Sequence, residues 1–496
     1  MLHIRVVKTA SGSRAVQLVY YQCRKRFIYK HIGSACTDEE LDVLKEAAQD
    51  LIESHTPSLP LFQGASSCNL LYLDKSEFLG VYYTFFYEVI CNLISKIGFD
   101  RIVKELLRDL IVIRIFEPAS KSRSIELLEV HFGLKHRRQS FYKFAPCWLK
   151  LKSDVEAITV QFARDNYGFN YDLLFYDVTT LYFESFEEDS LRRNGFSKDN
   201  KSQQPQILVA LMVTSDGFPI AYDVFAGNTF EGHTILPVVK AFIKKYTVKH
   251  FTVVADAAMI SEPNVRQLLE NQINYIVGAR LGNLPNKLMK EIDRAITRED
   301  NNSIRIKTGN GYLICSYSSV RYRKDKHEME KQIEKAKAVV KDPSKGKKLK
   351  FTRTNNNKIE LNEALIQKTE KLLGIKGYYT NLEEKQADNR TIINRYGELY
   401  KIEQAFRISK SDLQTRPVFH YKEEPIKLHI LICFMALVIS KHVELSTGNS
   451  IKKFITEAKK ITDARMLDLI TNKEIRIRTR LSKEMVDFLS KLNLSH

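Results

Sequence analysis

The stretch "LLFYDVTTLYF" (residues 173–183) carries a single charge, Asp177, in an otherwise apolar, aromatic and threonine-rich run. β-Branched and aromatic residues favour strands. A lone carboxylate inside a buried strand is costly unless it is neutralised, paired or bound to a metal. By itself the stretch has a second reading, an Asp that opens a turn and caps Thr179 or Thr180. "FTVVADAAM" (251–259) weighs against that reading, because it is another short apolar strand that ends on one carboxylate, Asp256.

The segments around these two define a pattern. "PQILVALMVTSDGFPIAYDVFAGN" (205–228) reads as two strands around a Ser-Asp-Gly turn, and "TILPVVKAFIKKY" (234–246) as an amphipathic helix. "SEPNVRQLLENQ" (261–272) is a Ser-capped helix, and "INYIVGAR" (273–280) a further buried strand. Three strands in a meander followed by helix, strand, helix and strand predict a mixed sheet covered by helices. In such a sheet the strand of Asp177 lies beside that of Asp256. Two close carboxylates repel unless a cation sits between them. Oxygen donors without His or Cys favour Mg²⁺ or Mn²⁺.

From about 281 to 380 the pattern is interrupted by short alternating segments, a basic helical run and the Asn-rich "TRTNNNK". "NRYGELYKIEQAFRISKSDL" (394–413) then reads as one long helix, with Leu399, Ile402, Phe406, Ser409 and Leu413 facing inward. Tyr396, Glu403 and Lys410 stand seven apart and share a stripe bordering that face. A carboxylate there can look across at the sheet edge, and an ordinary helix-surface Glu fits the same spacing.

The chain of 496 residues is too long for one core and predicts about three domains. It is 44% hydrophobic and carries 77 Lys and Arg against 59 Asp and Glu, a net charge of +18 that points to a polyanionic partner. Residues 1–30 hold seven basic side chains, among them Arg24, Lys25 and Arg26, and no acid; residues 321–353 hold 13 against 5. Two such concentrations favour nucleic acid over a merely solvated face. The seven scattered cysteines form no CxxC pair, which predicts a reduced compartment without structural zinc. "MLHIRVVKTA" lacks the apolar core of a signal peptide. "LHILICFMALVI" (428–439) is too short to span a bilayer, and "FLGVYYTFFYEVICNLI" (78–94) reads as a buried helix. A cytoplasmic protein with no membrane association is expected.

In order and spacing, "YDVTTLYFES", "GFSKDNKSQQPQ", "GNTFEGHT", "VVADAAMIS" and "IEQAFRISKSDL" resemble the bacterial insertion-sequence DDE transposases of the IS-four type. The resemblance covers roughly 165–440. It implies a ribonuclease-H-like catalytic core interrupted by a β-rich insertion, with Asp177, Asp256 and Glu403 as the catalytic, metal-holding triad. Tyr396, Glu403 and Lys410 match the family's Tyr-(2)-Arg-(3)-Glu-(6)-Lys signature, and Leu399 stands where the arginine belongs. Arg407, one turn beyond Glu403, is then the candidate to replace it as a DNA contact, or else to pair with Glu403. Lys198 is a further candidate DNA contact, while His233 at a helix start reads as structural. The implied partners are double-stranded DNA, as terminal inverted repeats and target, and a second copy of the chain on that DNA. The implied reaction is metal-dependent strand cleavage and strand transfer; an endonuclease of the same fold that does not join strands is the alternative.

The expected organisation is a basic β-hairpin and helix (1–60), a helical DNA-binding region (61–165), the first part of the core (166–280) and a β-rich basic insertion (281–380). The second part of the core (381–440) and a helical, dimerising tail (441–496) complete it.

Overall fold

A computed structural model describes residues 2–9, 12–22, 25–55, 73–196, 203–248, 251–259, 261–309, 311–342, 349–355, 358–469 and 472–494. Strands β1 (Leu2–Lys8), β2 (Arg14–Gln22) and β3 (Lys25–Ala35) form an antiparallel sheet against helix α1 (Asp38–His55). A capping box starts α1: Thr37 Oγ1 accepts from the Glu40 amide at 3.3 Å, and Glu40 Oε2 accepts from the amides of Cys36 and Thr37. Val16, Leu18, Leu41 and Leu44 fill the interface. The region expected to be a hairpin thus has a third strand, and β3 leaves Lys25, Arg26 and Lys30 exposed.

Strand β4 (Ser76–Tyr82) and helix α2 (Thr84–Ile97) follow, which corrects the single buried helix expected over 78–94. Gly80, at φ 130°, interrupts any helix there, and β4 is recruited into a sheet by strands distant in sequence. Helices α3 (Glu105–Phe116), α4 (Lys121–Phe132), α5 (Arg138–Leu149) and α6 (Lys152–Tyr167) complete the N-terminal third.

Next come β5 (Leu173–Tyr182), β6 (Gln206–Thr214), β7 (Pro219–Ala226), α7 (Ile235–Tyr246), β8 (Thr252–Ala255), α8 (Glu262–Glu270) and β9 (Asn274–Ala279). Ser261 caps α8 through the Asn264 amide, as its sequence predicts. The segment after β9 contains α9 (Asn286–Ala295), β10 (Ser303–Thr308), β11 (Gly311–Tyr317), α10 (Ser319–Lys341), β12 (Thr352–Asn355), β13 (Lys358–Leu361), α11 (Glu363–Glu370) and β14 (Ile375–Thr380). Eight strands pair in the order β10-β11-β14-β9-β8-β5-β6-β7, with β5–β8 and β8–β9 parallel and the rest antiparallel. The chain is therefore a mixed α/β protein with one large mixed sheet. The segment expected as a β-rich insertion holds more helix than strand. Its β10, β11 and β14 continue the main sheet, because β14 pairs directly with β9.

Helices α12 (Asn389–Gly397) and α13 (Tyr400–Arg407), a π-helical turn at Ile408–Asp412, and α14 (Glu423–Thr447) follow. The single helix expected over 394–413 is thus broken at Glu398 and Leu399. Leu399 is buried, so the break is held by packing. α14 is 25 residues long, enough by length and composition to cross a membrane, where the apolar stretch alone reads as too short. Of its most apolar window, 94% is buried within the protein, against α3, α5 and β7. The expected helical tail is α15 (Ile451–Ala458), a β15 (Asp463–Asp468)–β16 (Lys473–Arg478) hairpin and α16 (Lys483–Lys491), with β15 pairing to β4. Alternating charge in "KEIRIR" hides that hairpin from a helical reading.

The chain divides into two compact units: Met1–Ile90 with Glu126–Lys135 and Phe454–His496, and Cys91–Ile125 with His136–Lys453. The tail therefore belongs with the N-terminal segment, which differs from the expected boundaries at 60 and 441. In the first unit Asp463, fully buried, accepts from Arg478 Nε at 2.7 Å and Nη2 at 2.9 Å, and Glu88 Oε2 takes a further bond from Nη2 at 2.7 Å. Removing one partner leaves the others uncompensated. Asp463→Ala is expected to cost about 2–4 kcal/mol, seen as a lower thermal midpoint for this unit, whereas Lys473→Ala, at an exposed position of β16, is expected to shift it far less.

Candidate active site

β5 and β8 run parallel with Tyr176 opposite Ala255, and each strand's aspartate is the next residue. Neighbouring strands lie about 4.8 Å apart, so Asp177 and Asp256 stand side by side. Asp177 is half-buried and Asp256 exposed; each carboxylate accepts from the following amide, Val178 and Ala257, at 2.7 Å. The turn-capping alternative for Asp177 fails, because the strand continues through Thr179 and Thr180 to Tyr182.

Side chains alternate along a strand, so Asp177, Thr179 and Leu181 share one face. Tyr176 points to the other, where its hydroxyl donates to Thr234 Oγ1 at 2.7 Å just before α7. On the Asp177 face, Phe406 of α13 lines a small apolar cavity together with Thr179 and Leu181. Glu403, one turn before Phe406, is exposed and lies further along α13. Lys401 fixes the helix by donating to Ser215 O in the β6–β7 turn at 2.6 Å. The sheet thus presents two carboxylates, and α13 a third above them.

Tyr396 and Lys376 knit the site together. The Tyr396 hydroxyl donates to Asp256 Oδ1 at 3.1 Å. Burial, then the Asp256 charge and hydrogen bond, then Glu403 push its phenol well above the usual range. Lys376 of β14 lies over the Tyr396 ring at 4.6 Å. Burial lowers its ammonium pKa, Arg321 lowers it further, and Asp256 and Glu403 pull it back up. Lys376 thus faces Asp256 and Glu403, whose charges offset part of that lowering. A cavity of about 950 Å³ opens beside it, lined by Arg321, Tyr378 and Arg390 among others. Sequence reasoning missed Lys376, although "IKGYYT" carries the same signal as the Asp177 strand, one charge in an apolar run. Gly278 was missed too: a Cβ there would lie 2.5 Å from the Tyr396 hydroxyl.

The remaining predicted residues separate. Tyr396 and Glu403 converge on Lys376 from two helices, not from a stripe on one. Arg407 is exposed and acts on Asp412, whose carboxyl it pulls back down against burial and Glu444. Among the described residues no ion pair joins Arg407 to Glu403, so the alternative reading of Arg407 as an i,i+4 partner of Glu403 is not met. Lys410 is half-buried in the π-helical turn. Lys25 and Arg26 are exposed at the start of β3, while Arg24 and Lys198 lie outside the described residues. His233 is exposed in a short turn before α7, edge-on to Phe230.

Asp177, Asp256 and Glu403 offer oxygen donors with no His or Cys among them. That donor set fits Mg²⁺ or Mn²⁺. Among the described residues, the group whose ligand atoms all lie within 4.8 Å is Glu105, Asp109 and His136. There Asp109 already accepts from His136 at 2.7 Å and pairs with Arg108 at 3.2 Å. Asp177, Asp256 and Glu403 do not form such a group. Gly278→Ala is expected to displace Tyr396 and cost about 1–3 kcal/mol. Adding Tyr396→Phe should recover most of that loss, measured by thermal denaturation of the single and double variants.

A model of the transposase DDE domain matches residues 168–439, more than half of the chain, and takes in every residue from β5 to Glu403 described above. Among solved structures, the cryo-EM structure of the piggyBac transposase synaptic complex with hairpin DNA is 13% identical, over 85% of this chain and 77% of that one, with a TM-score of 0.37. No curated protein matches the sequence. With a domain match of that extent over this sheet and its acidic residues, the chain belongs to the DDE transposases.

Proposed function

We propose that the chain is the transposase of a bacterial insertion sequence of the IS-four type, with a ribonuclease-H-like catalytic core that cuts and joins DNA strands. The observation that carries this reading is the parallel β5–β8 register, which sets Asp177 beside Asp256 on the sheet face covered by α13 and Glu403. In this reading Asp177, Asp256 and Glu403 hold two Mg²⁺ or Mn²⁺ ions, which when bound supply an activated attacking oxygen and a stabilised leaving oxygen.

The chain's own residues do the rest. Tyr396 restrains the Asp256 carboxylate through its hydroxyl bond to Oδ1, so that Oδ2 would remain for an ion. Lys376, within reach of the charges of Asp256 and Glu403, attracts the scissile phosphate and offsets its charge. Arg321 and Arg390 extend that positive field along the neighbouring cavity, and Arg407 at the end of α13 and Lys410 in the following turn supply phosphate contacts. The exposed cations of β3, Lys25 and Arg26, serve binding to the element's ends, where two copies of the chain assemble. An endonuclease with the same site would cut without joining, and a strand-transfer assay separates the two.

Asp177→Asn, Asp256→Asn and Glu403→Gln are each expected to abolish cleavage of an end-bearing DNA while leaving its binding within about twofold. Each substitution removes a negative metal ligand and not a phosphate contact. A variant that still cuts at ordinary Mg²⁺ removes its residue from the site. Mg²⁺ or Mn²⁺ should support cutting, and Ca²⁺, larger and looser in geometry, binding alone.

Neutralising Arg5, Lys25, Arg26 and Lys30 together should flatten the dependence of log K on log salt by about 0.9 per lost phosphate contact. Fluorescence anisotropy on a labelled duplex measures the slope, and an unchanged slope returns that face to plain solvation.

A further inference from the structure

We infer that a pocket between the start of α4 and the loop preceding α14 is a binding site for a phosphate-type oxyanion, distinct from the carboxylate site. The pocket has a volume of about 90 Å³ and is lined by Arg114, Lys121, Arg416, Phe419, His420 and His429 among others, with no carboxylate. Its size is about three times water's share of liquid volume, room for a tetrahedral oxyanion and too little for a nucleobase.

Two of its cationic side chains are deeply buried. Arg114 and Lys121 are 3% and 4% exposed. Arg114 Nη2 donates to Ala119 O at 2.7 Å, but its Nε and Lys121 Nζ have no hydrogen-bond partner. Lys121 rests over the Phe141 ring at 5.7 Å. Apart from burial, the ionisable groups that act on its ammonium are Arg114, which repels it, and the Cys433 thiol. A buried ion without a counter-charge is strongly disfavoured, and an arginine cannot relieve the cost by losing its proton. Both histidines are kept neutral: burial, Lys121 and Arg114 push His420 down to about 3 and His429 well below the usual range. His429 donates through Nε2 to Thr415 O at 3.0 Å, and His420 stacks on Phe141. The walls thus hold cations and neutral rings, and an oxyanion supplies both the missing charge and the missing acceptors.

The loop is fixed to the catalytic strand. Val418 pairs with Phe183, and its amide donates to Tyr182 O at 3.4 Å. Six residues of extended chain separate Phe183 from Asp177, about 20 Å, or about six steps of 3.4 Å along a DNA strand. Phe419 and Tyr421, on either side of His420, are 55% and 64% exposed; Arg192 lies over the Tyr421 ring at 5.6 Å, and Phe419 offers a ring on which a base can stack. The anion site stands on these observations alone. Assigning its occupant to a phosphate of bound DNA, in preference to free phosphate, rests on the transposase reading.

The test is thermal denaturation of the full-length protein with inorganic phosphate against chloride at equal ionic strength. Phosphate stabilises proteins generally by exclusion from their surfaces, so the decisive quantity is the difference between wild type and variants. At ten times Kd the wild-type midpoint should rise about 2 °C more than that of Lys121→Met. Without phosphate, Lys121→Met should melt no lower than wild type, because it removes an unpaired buried charge. Arg416→Gln, reaching the pocket from the loop, gives a second variant should the first not fold, and it should also lose the excess shift. If a short duplex bound to the protein abolishes the excess shift, a DNA phosphate occupies the pocket. If the excess persists on DNA-bound protein, the ligand is the free anion. Equal phosphate shifts in wild type and both variants overturn the site, whatever the outcome of the cleavage assays.

Discussion

Everything in this protein that concerns chemistry depends on one backbone arrangement, the parallel pairing of β5 with β8. Four paired residues set Asp177 and Asp256 side by side. Like charges at that distance are repulsive, and the sheet imposes the distance through backbone hydrogen bonds and the buried side chains of Tyr176, Val253 and Val254, which lose their burial if the strands separate. The helices on either face make the pairing rigid. Tyr176 is anchored to Thr234 on one side, and Phe406 seats α13 on the other. The repulsion is thus sustained by packing, which leaves it available to bind cations.

Tyr396 and Lys376 both address Asp256, and Lys376 also feels Glu403. Both come from segments that follow the sheet's middle strands, and Tyr396 needs room at Gly278, where a Cβ would lie 2.5 Å from its hydroxyl. Arg305 of β10 holds the start of α12 by donating to Asn389 Oδ1, Leu382 O and Ala387 O, which fixes where Tyr396 falls. The segment read as an insertion is therefore structurally part of the site: β14 brings Lys376, and β10 positions α12.

A second concentration of charge lies at the other end of β5. Arg114 and Lys121 are buried with no acid to meet them, whereas Asp109, also buried, is matched by His136 and Arg108. The same chain compensates one buried charge fully and leaves two others open. This contrast separates a structural ion pair from a site whose counter-ion comes from outside.

How much of this was legible in the sequence differs by residue. A lone carboxylate in each of two apolar runs marked Asp177 and Asp256, because period-two burial and the cost of a buried charge are local properties. The order of strands and helices then fixed their adjacency, since a crossover through α7 returns the chain parallel to β5. Glu403 was reachable only by resemblance, as its helical spacing fits a surface residue equally well. The helix break at Leu399 was invisible, because apolar periodicity runs on through 394–413 while the backbone turns. Lys376, Gly278 and the β4–β15 pairing were decided by tertiary structure alone. Lys376 acquires its role from Asp256, 120 residues earlier in the chain, and β4 becomes a strand because a hairpin almost 400 residues away completes its hydrogen bonds. Local sequence determines which residues can be buried and in what period; which charges then face one another is set by contacts between segments that carry no information about each other.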